Sequence, residues 1–160
     1  MVFEDIIAVM ERTLELELAV VEGTTAFEVA GEDGGARMRV LVQDGSERHR
    51  VLLSADLGEP PPEGAETLFR TMLEANNLFA GTAGATLALD AATGRFRLQK
   101  AELPEELAND VDGRFVAFIE TALDWRRAIE DFRPAGGGGD PDAAGDGTAA
   151  PGGGFGAFRV

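Results

Sequence analysis

The feature that most constrains the fold is an apolar repeat near the C-terminal end of the sequence. It continues in steps of three and four residues for about seven helical turns. The repeating residues are Leu107, Val111, Phe115, Phe118, Ala122, Trp125, Ile129 and Phe132. Because Pro104 opens this segment and Pro134 closes it, the pattern predicts one long amphipathic helix. A helix with one apolar stripe needs a second layer to cover it, and the rest of the chain must supply that layer.

Two further helices and five strands are predicted ahead of this long helix. A first helix is marked by apolar residues at helical spacing, which are Phe3, Ile6, Ile7, Met10 and Leu14. Residues 24–57 alternate in character as three strands separated by glycine-containing turns. A second helix is predicted over 64–79, and two more strands follow near 85–90 and 95–99.

The order of these elements predicts an α+β fold, α-β-β-β-α-β-β-α, in which helices pack on a twisted antiparallel sheet. Residues 1–133 are expected to form this one domain. Residues 134–160 are rich in Gly, Ala, Asp and Pro, which bury too little apolar area to offset the entropy lost on ordering. We therefore predict a flexible tail over 134–160, with docking of Phe155 and Phe158 on the domain as the alternative.

The charge balance limits the classes of partner. The sequence has 29 acidic and 14 basic residues, for a formal net charge of -15. Nucleic-acid affinity depends largely on cations that displace phosphate counterions, so this balance argues against DNA, RNA and anionic membranes as partners. No apolar run approaches the roughly 18 residues of a membrane-spanning helix, and the N-terminus lacks the features of a signal peptide. These features predict a cytoplasmic protein that does not insert into membranes.

Candidate catalytic groups are few. The single histidine, His49, lies between two arginines beside a predicted hairpin turn, and the only serines are Ser46 and Ser54. Neither serine lies in the Gly-x-Ser-x-Gly pattern that exposes a nucleophile. The aspartates over 140–146 lack the register and the closing glutamate of a calcium loop. The sequence therefore predicts no catalytic residue, metal or cofactor, and a small hydrolase that uses His49 is the weakest alternative.

Two adjoining motifs resemble one protein family. The second predicted helix carries Leu-Glu-Ala-Asn-Asn-Leu at 73–78, and the next strands carry Gly-Ala-Thr-Leu-Ala-Leu-Asp at 84–90 and Thr-Gly at 93–94. Together with Trp-Arg at 125–126, they resemble the Tir-chaperone (CesT-like) family of type III secretion chaperones. The resemblance extends over the whole predicted domain. It implies a homodimer that carries out no catalysis and uses no ATP or cofactor. It also implies that the client is a segment of a secreted effector protein, which the homodimer keeps partly unfolded.

The resemblance also implies which surfaces meet each partner. Precedent in the family puts the dimer contact on the second helix and adjoining strands, here Leu68, Phe69, Met72, Phe79, Leu87 and Leu89. Client contact is expected on apolar patches of the sheet and of the first and third helices. The residues predicted for it are Phe3, Ile7, Val40, Val42, Val51, Leu53, Ile119 and Leu123. The glycine-rich tail departs from the family pattern. The second hypothesis for the function is a regulator or adaptor protein that has the same fold and is unconnected with secretion.

Overall fold

The computed structural model describes residues 3–30 and 37–133, which form four α-helices and one six-stranded sheet. The helices are α1 (Phe3–Leu14), α2 (Ala65–Asn76), α3 (Pro104–Asn109) and α4 (Ala117–Glu130). The strands are β1 (Val20–Val21), β2 (Thr24–Val29), β3 (Met38–Gly45), β4 (Arg50–Gly58), β5 (Thr86–Asp90) and β6 (Arg95–Glu102). The predicted tail, with Phe155, Phe158 and the aspartates over 140–146, lies outside the described residues.

The sheet is antiparallel throughout and has the strand order β1-β2-β3-β4-β6-β5. The predicted α+β architecture is confirmed, with β1 as an additional strand of two residues. Strands β1 and β5 form the two edges of the sheet. Five strand spacings separate these edges, so surface groups beside β1 and beside β5 lie roughly 24 Å apart.

One face of the sheet and the apolar stripes of the helices form the core. In β3 and β4 every second residue points into it, and these residues are Met38, Val40, Val42, Val51, Leu53, Ala55 and Leu57. Helix α4 packs against β4, and α1 packs against α3. The C-terminal apolar repeat is buried at each predicted position from Leu107 to Ile129, as its spacing predicts.

The prediction of one continuous C-terminal helix was wrong, because the helix is interrupted. Helix α3 ends at Asn109, and a π-helical turn at Asp112–Val116 precedes α4. Between them Asp110 leaves the helical conformation, and its carboxylate accepts a hydrogen bond from the Gly113 N–H at 2.9 Å. This carboxylate caps the start of the next helix. The apolar spacing continues across the break, so periodicity alone does not reveal it.

A partly buried ion pair holds the end of the sheet that leads into α2. Arg95 of β6 contacts Asp56 of β4 at 2.9 Å and Glu59 at 3.0 Å. The Gly58 N–H donates to the same Asp56 carboxylate at 3.0 Å. Burial by itself raises the pKa of Asp56, but the hydrogen bonds from Arg95 and Gly58 and the charges of Arg95 and Arg97 outweigh it. The pKa of Asp56 therefore lies below its ordinary value of 3.8.

Replacing Asp56 with asparagine is expected to lower the free energy of unfolding at neutral pH by about 1–3 kcal/mol. A carboxylate whose pKa is lowered by folding stabilises the fold fully above its unfolded pKa and loses that effect as the pH falls through its folded pKa. The difference in stability between the native protein and Asp56→Asn should therefore shrink below about pH 4. Urea unfolding at neutral pH and at about pH 3 measures this difference. An equal difference at both pH values would contradict the prediction.

Candidate partner-binding surfaces

Exposed apolar side chains surround the C-terminal end of α2. The exposed fractions are 70% for Leu73, 88% for Leu78, 53% for Phe79 and 50% for Leu89. These four residues, here called the helix-end patch, lie in α2, in the segment directly after it and in the neighbouring strand β5. The Asn76 side chain joins the end of α2 to β5 through two hydrogen bonds with the backbone of Leu87. Clustered exposed apolar groups of this kind mark a surface that meets a partner.

The outward face of α2 beside this patch carries a regular row of charges. Glu66, Arg70 and Glu74 are spaced four residues apart, so they lie one above the other on the helix. They line one shallow depression together with Phe69, whose ring packs edge-on against Phe96 at a centroid distance of 5.5 Å. Helix α2 therefore presents an acid–base–acid row next to the apolar patch.

A second exposed apolar cluster lies at the opposite edge of the sheet. The exposed fractions are 42% for Leu16, 37% for Val20 and 68% for Val21, and these residues are here the edge patch. Strand β1 pairs with β2 only at Thr24 and Thr25. Within the described residues, the rest of β2 has no neighbouring strand on that side. An uncovered strand edge of this kind can accept a further strand.

The face of the sheet opposite the core is open to solvent and mixed in polarity. Its shallow depressions are lined by Leu41, Gln43, Leu52, Ser54, Thr86, Ala88, Gln99 and Ala101. Leu52 is 40% exposed on this face, and Leu89 of the helix-end patch borders one of the depressions. This open face is a third candidate surface, less apolar than the two patches.

The described domain contains one deeply buried carboxylate, Glu102 at the end of β6. One of its oxygens contacts the Lys100 Nζ at 2.8 Å, and the other contacts the Arg114 Nη1 at 2.8 Å. Arg114 also contacts Glu106 of α3 at 2.9 Å. Because both oxygens are paired with cations, Glu102 joins the sheet to the turn between α3 and α4, and this network serves structure rather than proton transfer.

Two of the groups considered for catalysis, His49 and Ser54, lie apart. His49 is exposed, with a left-handed backbone at φ 49°, in the turn before β4. Ser54 is buried in β4. It lies four residues, or roughly 13 Å, along the strand from Arg50, the residue that follows His49. Over residues 3–30 and 37–133 no cluster of three metal-ligating side chains is found. In the same part of the chain, no helix has the length and apolar character needed to cross a bilayer.

The family model of the Tir chaperone protein (CesT) family matches residues 5–127. The chain belongs to this family. Two solved structures share its fold. A chain of the HopA1–SchA chaperone–effector complex is 19% identical with a TM-score of 0.61, over 79% of this chain and 94% of that chain. A chain of the ExsC–ExsE complex is 20% identical with a TM-score of 0.60, over 78% of this chain and 91% of that chain. None of the curated proteins matches the sequence significantly.

In this CesT-family domain the six residues predicted for the dimer contact are divided between core and surface. Leu68, Met72 and Leu87 are buried, and Phe69 is half-buried. Phe79 and Leu89 are exposed. Leu73 and Leu78 are not among the six predicted residues. The predicted second helix runs to residue 79, which overlooks the break between Asn76 and Leu78. Two consecutive asparagines at 76–77 are the signal for that break, since asparagine is common where helices end.

Seven of the eight residues predicted for client contact lie in the core of the protomer. They are Phe3, Ile7, Val40, Val42, Val51, Leu53 and Ile119, each at most 9% exposed. Leu123 is half-buried. Their role in client binding stays a prediction. Among the described residues, the exposed large apolar groups lie in the helix-end patch, in the edge patch and at Leu52. The alternation of leucine and glutamate over 14–18 predicts only the end of the first helix; within it Leu16 is exposed and Leu18 is buried.

Proposed function

We propose that this CesT-family protein is a cytoplasmic, homodimeric type III secretion chaperone, which binds an extended segment of an effector protein and keeps it partly unfolded. The observation that carries the proposal is the position of the two apolar patches. The helix-end patch lies beside β5 and the edge patch lies beside β1, at opposite edges of the sheet. Two separate patches allow one protomer to hold a second copy and a client at the same time.

The helix-end patch is proposed as the dimer contact. A two-fold dimer brings the same surface of each copy together, so joining the copies through this patch leaves both edge patches at the far ends of the assembly. One extended client can then reach both of them. Its second contact becomes intramolecular, which raises its effective concentration without any new kind of contact.

The edge patch and the uncovered part of β2 are proposed as the client contact. An extended segment can pair with a strand edge through its backbone while its apolar side chains pack beside Val20 and Val21. In this mechanism no covalent bond is made or broken, and binding alone keeps the client from folding or aggregating. One structural relative comes from a chaperone–effector complex, which supports an effector as the class of client.

The proposal is tested with N-terminal segments of the secreted proteins encoded in the same cell. Size-exclusion chromatography with light scattering should show two chaperone copies with one client segment, and circular dichroism should show no independent folding of that segment. Deleting the gene should reduce secretion of the bound effector. If secretion is unchanged while expression of other genes changes, the alternative of a regulator with the same fold replaces the chaperone.

Replacing Val21 with aspartate is expected to weaken client binding by at least about tenfold, because it places a charge in the edge patch. Val21 is 68% exposed, so the fold should tolerate the change. The matched control is Leu52→Asp on the open face. Calorimetric titration of both variants with the same effector segment decides between the two surfaces. Normal binding by Val21→Asp together with weak binding by Leu52→Asp would move the client to the open face.

A further inference from the structure

The loop between α2 and β5 holds large residues in an unfavourable backbone conformation. Leu78 has a φ of 54°, Phe79 of 57° and Ala83 of 49°, all in the left-handed region that side chains with a Cβ rarely adopt. Burial does not compensate, because the side chains of Leu78 and Phe79 are exposed. Other interactions in the protomer must therefore maintain this conformation.

Side chains hold both sides of the loop to the edge of β5. The Asn76 carboxamide accepts a hydrogen bond from the Leu87 N–H at 2.8 Å and donates one to the Leu87 carbonyl at 2.9 Å. The buried Thr82 acts in the same way: its carbonyl accepts from the Ala85 N–H at 2.9 Å, and its hydroxyl donates to the Ala85 carbonyl at 2.6 Å. The outward backbone groups of Ala85 and Leu87 are thus satisfied, and the strand edge is closed there.

The middle of the loop is held from the opposite side by α4. The Trp125 indole N–H donates to the Gly81 carbonyl at 2.8 Å. The Gly81 N–H donates to the Ala75 carbonyl at 3.1 Å, and a Cβ on Gly81 would lie 2.9 Å from the Ala75 Cβ. This close approach requires glycine and presses the loop onto the end of α2.

We infer that Asn76, Thr82 and Trp125 are positioning residues that hold Leu78 and Phe79 as a rigid apolar projection for a second copy of this chain. The inference rests on the proposed homodimer. A projection fixed before association loses little conformational entropy when it is buried, so fixing it strengthens binding without adding a contact.

The charge row on α2 identifies the occupant as a second copy. Glu66, Arg70 and Glu74 place one base between two acids along the helix. A second copy related by a two-fold axis that passes between Arg70 and Glu74 presents the same row in the opposite direction, which places each Arg70 opposite Glu74 of the other helix. This surface is therefore complementary to itself in charge as well as apolar in the adjoining patch.

The test measures dimer dissociation by sedimentation equilibrium for the full chain and for three variants. Asn76→Ala should weaken the dimer about tenfold, because the loop loses both hydrogen bonds to Leu87. The control Asn109→Ala removes an exposed asparagine at the end of α3, outside the proposed face, and should leave dissociation unchanged. Leu78→Ser removes the projection directly and should weaken the dimer at least as much. If Leu78→Ser leaves the dimer intact, the proposed dimer face itself fails.

The double variant Asn76→Ala with Leu78→Ser separates positioning from general stability. If Asn76 acts through the projection, the losses should be less than additive, because Leu78→Ser already removes one of the two side chains that Asn76 positions. Additive losses would overturn the inference while leaving the dimer face in place, and so would normal association of Asn76→Ala. Should Asn76→Ala fail to fold, Thr82→Val provides the same comparison, since it removes only the hydroxyl donor to Ala85 and keeps the shape of the side chain.

Discussion

Leu73→Glu is expected to convert the dimer into a folded monomer. Leu73 lies in the helix-end patch and is 70% exposed in the protomer, so glutamate is solvated there when the chain is alone. In the proposed dimer the new carboxylate is desolvated against apolar groups, which costs about 3 kcal/mol or more and weakens association at least about a hundredfold. Light scattering on a size-exclusion column measures the mass in solution.

The melting temperature of Leu73→Glu supplies the control for folding. A dimer is stabilised by mass action, so its melting temperature rises with protein concentration, whereas that of a monomer does not. Leu73→Glu should give a cooperative transition that no longer depends on concentration. A variant that stays dimeric at micromolar concentration would remove the helix-end patch from the dimer contact.

Met72→Glu, one residue away, should have a different and larger effect. Met72 is 5% exposed and belongs to the core cluster, so this substitution places an unpaired charge inside the protomer. The expected loss of stability exceeds about 4 kcal/mol, which is a large part of the stability of a domain of this size. Circular dichroism should show an unfolded or aggregated chain rather than a folded monomer.

Met72→Leu is the matched control for Met72→Glu, because it keeps a similar volume without the charge and should cost less than about 1.5 kcal/mol. The pair Met72→Glu and Leu73→Glu then compares the same charge on the inner and outer faces of one helix. A folded, dimeric Met72→Glu would show that the inner face of α2 is accessible, and would contradict the packing described above.

The apolar periods of the sequence were sufficient to predict the architecture. Apolar residues at helical spacing in α1, and at every second position in β3 and β4, are buried as expected. The break at Asp110 and the short strand β1 were not predicted. The break depends on a local carboxylate cap within an unbroken apolar pattern, and two residues are too few to show an alternation.

The candidate surfaces were less predictable than the core. Residues such as Val40 and Leu53 were predicted to contact the client because they are apolar and lie in the sheet, yet they face the helices that cover it. Exposed residues such as Val21 and Leu78 lie next to a turn and a helix end, where no period distinguishes them. The residues predicted for the dimer contact lie in and around α2 and β5, and three of them are on the buried faces of these elements.

By itself, the sequence determined the order of the main helices and strands and the apolar face of each, because side-chain periods follow directly from helix and strand geometry. The motifs at 73–78 and 84–94 indicated the family. Only the tertiary structure decided which apolar faces are covered and which remain at the surface. Whether an apolar face is covered depends on helices and strands that are distant along the chain. The conformation of the loop before β5 depends on such distant contacts as well. That loop is held by contacts such as the one between Trp125 and Gly81, 44 residues apart in sequence, which no local pattern encodes.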